Sequence, residues 1–137
     1  MKVDNCLKGV EIMNKMKKLP DAEFEVMKVA WKNEPPVTTS IIMEQLGKRK
    51  QWKAQTVNSL MLRLVERGFL STEKKGKERT YFPLISKEDY LKFETGKFVK
   101  QYHNNSFLNL VNTLYDDNAL SDEDIDELLK WVKERRE

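Results

Sequence analysis

Residues 53–83 read KAQTVNSLMLRLVERGFLSTEKKGKERTYFP, and the periodicity changes within them. Val57, Leu60, Met61, Leu64 and Val65 recur at spacings of three, four, seven and eight, which predicts one buried face of a helix from about Lys53 to Arg67. Gly68 closes it. Phe69-Leu70-Ser71-Thr72-Glu73 then reads as a strand, Lys74-Lys75-Gly76-Lys77 as a basic turn, and Glu78-Arg79-Thr80-Tyr81-Phe82 as a returning strand stopped at Pro83. The opposite helix face carries Gln55, Thr56, Asn58, Ser59, Leu62, Arg63 and Glu66. Most of these side chains are short and polar, unlike the Lys/Glu lattice of a merely solvated helix. Short donors and acceptors with one Arg suit base edges in a major groove about as wide as an α-helix.

Upstream, Pro20-Asp21 opens a first helix that Asp21 can cap, with Glu23 and Glu25 at its positive end. Phe24, Met27 and Trp31 form its buried stripe, and Pro35-Pro36 forces an end near Asn33. Val37 and Thr38 are extended. Thr38 or Thr39 caps a second, short helix with Ile41, Ile42, Gln45 and Leu46, which Gly47 is expected to terminate in a left-handed conformation before a basic turn, Lys48-Arg49-Lys50-Gln51. Helix, short helix, long helix and a two-stranded basic hairpin is the order of a winged helix-turn-helix over residues 19–85. Gln55, Thr56, Asn58, Ser59 and Arg63 would enter the groove, with Lys50 and Lys53 at the helix start. Lys74, Lys75, Lys77 and Arg79 on the hairpin would lie along the phosphate backbone. Residues 1–18 lack periodicity and are expected to form a flexible tail.

The back half, residues 86–137, reads as three helices. Ser86-Lys87-Glu88-Asp89 opens one that runs to about Tyr102, with Leu91, Phe98, Val99 and Tyr102 near one side. Asn104-Asn105 breaks it. Phe107, Leu110, Val111 and Leu114 stripe a second, which stops around Asp116-Asp117-Asn118. Ser121 caps the last, with Asp124 completing the capping box, Leu120 and Ile125 as a hydrophobic staple, and Ile125, Leu128, Leu129 and Val132 as its apolar face. These stripes exceed what three short helices bury on one another, which predicts a dimerisation surface. His103, the one histidine, falls at a break and reads as exposed.

Charge divides the chain in the same place. Residues 1–85 hold 17 Lys/Arg against 10 Asp/Glu, whereas residues 86–137 hold 8 against 12. A basic front suits a polyanion and an acidic back another task. The single cysteine, Cys6, excludes a disulfide framework and a multi-cysteine metal site. With no Gly-rich phosphate loop, nucleophile elbow or ligand cluster, neither an enzyme nor a cofactor is expected. No stretch approaches the ~20 apolar residues that span a bilayer and no signal-peptide core opens the chain, which predicts a cytoplasmic protein without membrane insertion. The expected fold class is mainly α with a small β-hairpin wing, and the expected partners are double-stranded operator DNA and a second copy.

Asp21-Ala22-Glu23-Phe24-Glu25-Val26-Met27 with Trp31, and Trp52-Lys53-Ala54-Gln55-Thr56-Val57 through Leu60, Arg63-Leu64 and Arg67-Gly68-Phe69-Leu70, resemble the penicillinase repressor family of the BlaI/MecI type. The resemblance implies a homodimeric repressor of genes answering cell-wall antibiotics, such as β-lactamase, released when a membrane sensor metalloprotease leads to its cleavage. It also implies that Gln55, Thr56, Asn58, Ser59 and Arg63 face DNA. Two departures stand out. Lys53-Ala54 replaces the usual Ser-Pro, which removes a cap worth about 1 kcal/mol, and Asn58 stands where the family often has Arg or Gln. Family members are cut at an Asn-Phe bond in the second helix of the back half; by alignment that bond is Thr113-Leu114 here. Alternative readings are a copper-responsive repressor of the CopY type, which carries Cys-x-Cys motifs not found near Lys130-Trp131-Val132-Lys133, and a winged-helix interaction module that does not bind DNA.

Overall fold

The computed structural model describes residues 16–136, so Cys6 and most of the expected tail lie outside the described residues. Met16, inside that expected tail, is buried in the core. The chain forms two compact units, the first running through Glu94 and the second from Thr95.

In the first unit, α1 (Asp21–Lys32) begins after Pro20, and no side chain caps it. Asp21 is therefore its first helical residue rather than its cap. Thr38 both ends the short strand β1 (Val37–Thr38) and caps the next helix, its hydroxyl accepting from Ile41 N–H at 3.3 Å. That helix, α2, is one run over residues 39–50: an α-turn Thr39–Ile42, a π-helical turn Met43–Gly47 and a last turn Lys48–Lys50. Gly47 does not end it. It is right-handed helical, buried, and close enough to Met43 that an added Cβ would stand 2.7 Å from the sulfur. The left-handed terminator is Gln51, with φ 59°. The expected basic turn is thus the last turn of a helix.

Helix α3 (Ala54–Glu66) buries Val57, Leu60, Met61 and Leu64 as expected. Its end is a Schellman motif: Gly68 at φ 83°, Gly68 N–H donating to Val65 O at 3.0 Å and Phe69 N–H to Leu64 O at 2.9 Å. Strands β2 (Leu70–Lys75) and β3 (Glu78–Pro83) pair antiparallel from Leu70↔Pro83 to Lys75↔Glu78. Only Gly76 and Lys77 turn the chain, and Gly76, at φ 64°, takes the position a II′ turn reserves for glycine. The sheet has a third strand that the hairpin reading lacks: β1 pairs with β3 through Val37↔Tyr81 and Thr38↔Thr80, in the order β1-β3-β2.

Two polar contacts lock this frame. Glu23, read from the sequence as a dipole partner, is buried, and Arg67 Nε donates to its Oε1 at 2.6 Å, joining the first turn of α1 to the end of α3. Tyr90, on the first turns of α4 (Lys87–His103), is also buried. Its hydroxyl accepts from Leu19 N–H at 2.8 Å, and its ring lies 5.5–6.0 Å from Phe24, Trp31 and Phe69. Burial raises the Tyr90 hydroxyl above the usual phenol range. This aromatic anchor is why the first unit extends to Glu94 rather than stopping at Ile85.

The second unit holds the end of α4, then α5 (Phe107–Asp116) and α6 (Asp122–Arg136). Asn104 and Asn105, at φ 49° and 60°, make the expected break. Ser106 caps α5 through Asn109 N–H at 3.1 Å. Ser121 and Asp124 form the expected capping box: Asp124 N–H donates to Ser121 Oγ at 3.1 Å, and Ser121 N–H donates to Asp124 Oδ2 at 3.0 Å, which is the main reason the Asp124 carboxyl titrates below its usual value. His103 corrects its expectation: it is buried, with Nδ1 2.7 Å from Asn109 Oδ1 and its ring 5.5 Å from Phe98.

The Glu23–Arg67 pair gives a stability test. Arg67→Ala leaves a buried carboxylate without its partner, which costs about 3–5 kcal/mol for a fully buried pair. Arg67 itself is partly exposed, so water offsets some of this and a loss of about 2–3 kcal/mol in urea unfolding is expected. A loss below 0.5 kcal/mol, the ordinary range for a surface substitution, would show that the pair does not hold the frame.

Candidate nucleic-acid interface

Gln51 in its left-handed conformation reverses the chain, and Trp52 N–H donates to Gly47 O at 2.8 Å, which sets the entry to α3. Lys53 precedes the helix in an extended conformation with no side-chain cap. The missing cap expected from Lys53-Ala54 is therefore a feature of the structure. Gln55, Thr56, Asn58, Ser59 and Arg63 are all exposed along one side of α3, with Lys53 at its start.

Within this face the polar groups are not equally free. Ser59 Oγ donates back to Gln55 O at 3.0 Å, so its hydroxyl proton is engaged in the helix. Asn58 Oδ1 accepts from Thr39 Oγ at 2.8 Å. A groove runs between α3, the start of α2 and the wing, lined by Thr39, Ser40, Asn58, Leu62 and, from the hairpin, Lys74, Lys77 and Arg79. Lys75 is exposed on the same hairpin, paired in register with Glu78. The hairpin is stiffened by Thr72 Oγ1 donating to Thr80 O at 3.1 Å and Thr80 Oγ1 to Glu73 O at 3.3 Å. One concave surface thus joins Asn58 and Leu62 of α3 to three wing cations and the Glu78 carboxylate among them.

Thr39 and Ser40 are groove residues that the sequence reading missed. Their only signal was the cap position at Thr38, since the start of a helix concentrates free N–H groups and attracts anions. Lys50 stands elsewhere. It lines a separate hollow with Asp21, Glu25 and Lys28 against α1. The hydrogen bond from Lys28 Nζ, at 3.0 Å, is the main reason the Glu25 carboxyl titrates below its usual range, and Lys28, Lys50 and Arg49 add to it by charge against partial burial. Arg49 also pairs with Glu25 at 3.7 Å. Glu25 therefore offsets part of the positive charge beside the α2–α3 turn.

Of the residues expected at a dimer surface, Leu91 belongs to the first unit and the other eleven to the second. Phe98, Tyr102, Phe107, Leu114, Leu129 and Val132 are exposed, while Val99, Leu110, Val111, Ile125 and Leu128 are half-buried.

The profile of the penicillinase repressor family matches residues 19–134. The chain belongs to the penicillinase repressor family. It is 32% identical over 124 residues to the penicillinase repressor of Bacillus licheniformis, covering 90% of this chain and 96% of that one. It is 31% identical to the methicillin resistance regulatory protein MecI of Staphylococcus aureus, covering 84% and 93%. The family is one of DNA-binding transcriptional repressors, not of enzymes. Among solved structures, the DNA-binding domain of the repressor BlaI is 38% identical, covers 55% of this chain and 94% of its own, and has a TM-score of 0.47. The monomeric form of Bacillus licheniformis BlaI in complex with the blaP half-operator is 36% identical, with coverages of 54% and 89% and a TM-score of 0.46. No helix among the described residues is long and apolar enough to cross a membrane.

The offset at Glu25 is testable in this chain. Glu25→Gln removes the carboxylate facing Arg49 and Lys50, and a surface charge of this kind is worth about 0–1 kcal/mol. Affinity for random duplex DNA at low salt should rise, by up to about fivefold. Unchanged or weaker binding in a filter assay would place Arg49 and Lys50 away from the phosphates.

Proposed function

We propose that this family member is a cytoplasmic homodimeric repressor. It binds a dyad-symmetric operator in double-stranded DNA, controls β-lactamase or other cell-wall antibiotic response genes, and is released by proteolysis. The observation that carries the DNA reading is the groove in which Asn58 and Leu62 of α3 meet the wing cations Lys74, Lys77 and Arg79, on a helix whose Gln55, Thr56, Ser59 and Arg63 are exposed beside it. Gln55, Thr56, Asn58, Ser59 and Arg63 read the major groove. Lys53, Lys74, Lys75, Lys77 and Arg79, with Lys50 at the turn, meet phosphates. Dimerisation rests on a second observation. Among the described residues of the second unit, no apolar side chain is buried. Three helices in that state lack a core of their own and call for a partner surface, and a second copy supplies it through Phe98, Tyr102, Phe107, Leu110, Leu114, Leu128 and Leu129.

Release follows from the same dependence. A cut at Thr113-Leu114, by a protease answering a membrane sensor, divides α5 and separates its stripe from α6. Thr113 is tied into the helix by its hydroxyl on Asn109 O at 3.0 Å, so α5 must open locally before it can be cut.

Arg63→Ala is expected to lower binding to a selected operator by about 1–3 kcal/mol, as for loss of a bidentate Arg–base contact, and to spare random DNA. Neutralising Lys74, Lys75 and Lys77 together should weaken both alike and flatten the salt dependence by roughly 0.9 log units per lost phosphate contact. An unchanged ratio of specific to random binding in the Arg63→Ala protein would remove α3 from the groove. A chain ending after Glu94, which keeps the Tyr90 anchor, should fold, sediment as a monomer and bind the operator weakly, because the gain from two linked half-sites is lost. A full-length chain that sediments as a monomer at micromolar concentration would end the dimer reading. For release, mass spectrometry of the repressor from antibiotic-treated cells should find fragments parted within residues 112–115. An intact chain alongside a derepressed operator would rule the cut out.

A further inference from the structure

Leu62 stands in the wrong place for an apolar side chain that does nothing. Among the described residues of the first unit it is one of three exposed leucines, with Leu84 and Leu91, and of these it alone lines the groove. It lies in the groove opposite the wing cations Lys74, Lys77 and Arg79. Single exposed leucines are common on protein surfaces, so its neighbour has to decide the matter. Asn58 lies one helical turn earlier, and side chains four apart on a helix face have Cβ atoms about 5–6 Å from each other.

The Asn58 amide is oriented. Its Oδ1 accepts the Thr39 hydroxyl at 2.8 Å, and its NH2 has no hydrogen-bond partner among the described residues. An asparagine reads adenine by using both ends of its amide, accepting from N6 and donating to N7. With one lone pair of Oδ1 taken by Thr39, the NH2 is the wholly unpartnered end of the Asn58 amide, so Asn58 acts first as a donor. The groove therefore offers a hydrogen-bond donor beside an apolar group. In the major groove thymine alone shows an acceptor, O4, beside a methyl; guanine O6 and N7 and adenine N7 are acceptors without a methyl, and cytosine shows an amino donor.

We infer that Asn58 and Leu62 together read one thymine in each half-site, Asn58 donating to its O4 and Leu62 packing on its methyl, with Thr39 as the residue that sets the amide. This specificity rests on the DNA-binding reading above and adds to it the base that the wing-side part of α3 selects.

The test uses the full chain and the tightest duplex selected from a random-sequence library. Each thymine is replaced in turn by deoxyuridine, which keeps O4 and removes only the methyl. One thymine per half-site should show a loss of about fourfold, the worth of one buried methyl-sized group, and the Leu62→Ala protein should show no loss at that thymine. Exchanging the same T·A pair for A·T should cost the wild type about tenfold, because the methyl is lost and the N6 amino group of adenine takes the place of the O4 acceptor. Thr39→Val, which frees the amide to turn, should reduce that preference while the deoxyuridine penalty remains. Sequence-specific binding in which every deoxyuridine penalty is the same for wild type and Leu62→Ala overturns the inference and leaves the DNA-binding reading standing. Failure of the library to yield any duplex bound above random DNA overturns both.

Discussion

A carboxylate held out of water fixes the direction of α3, the helix proposed to meet DNA. Glu23 is 2% exposed in its side chain and meets Arg67 at 2.6 Å, and a buried charge of this kind tolerates little change in geometry, because a longer contact leaves it unsolvated and unpaired. Glu23 belongs to the first turn of α1 and Arg67 follows the last turn of α3. The pair therefore clamps one end of α3, while Val57, Leu60, Met61 and Leu64 bury its inner face. What remains outside is the polar side. In the proposed reading of base edges these short side chains need a rigid carrier, and this clamp, with Gly68 ending the helix sharply, supplies it.

Much of this frame was legible because it is periodic. The inner face of α3 recurs at helical spacing, and its outer face is the complement of the inner one, so exposure of Gln55, Thr56, Asn58, Ser59 and Arg63 followed from the same pattern. The capping box at Ser121 and Asp124 is local and equally readable. The failures turn on contacts that helical and strand periods do not encode. Gly47 looks like a terminator, yet the helix continues because glycine there allows close packing beside Met43, and Gln51 ends it instead. β1 is two residues long and has no period to detect; it exists because β3 pairs with it. His103 is buried through Asn109, six residues on and past a break, a spacing no helix face predicts.

The binding surface was legible in composition but not in arrangement. Its groove is assembled from three separated segments, Thr39-Ser40, Asn58 with Leu62, and the wing. No sequence spacing relates those segments, so Thr39 and Ser40 carried no signal beyond a neighbouring cap. Charge misled in a different way. Lys50 counts as one more cation in a basic run, whereas in the fold it sits beside Glu25, which also draws Arg49 and Lys28. A run of basic residues reports total charge, and tertiary neighbours decide how much of it reaches a polyanion.

The two units solve the burial problem differently, and that difference bears on regulation. The first unit has a core from Met16 to Tyr90 and is closed by an aromatic cluster around the Tyr90 ring. The second keeps its apolar side chains half or fully exposed in the single chain. A domain whose core is completed by a second copy has a stability tied to protomer concentration. A winged helix that folds by itself does not. In the proposed dimer the reading head would remain intact when the pair separates, and what falls is the effective concentration that lets two heads occupy two half-sites together. Damage to α5 alone then suffices to weaken repression. The DNA-reading unit need not unfold, because the frame set by Glu23, Arg67 and Tyr90 lies wholly outside the second unit.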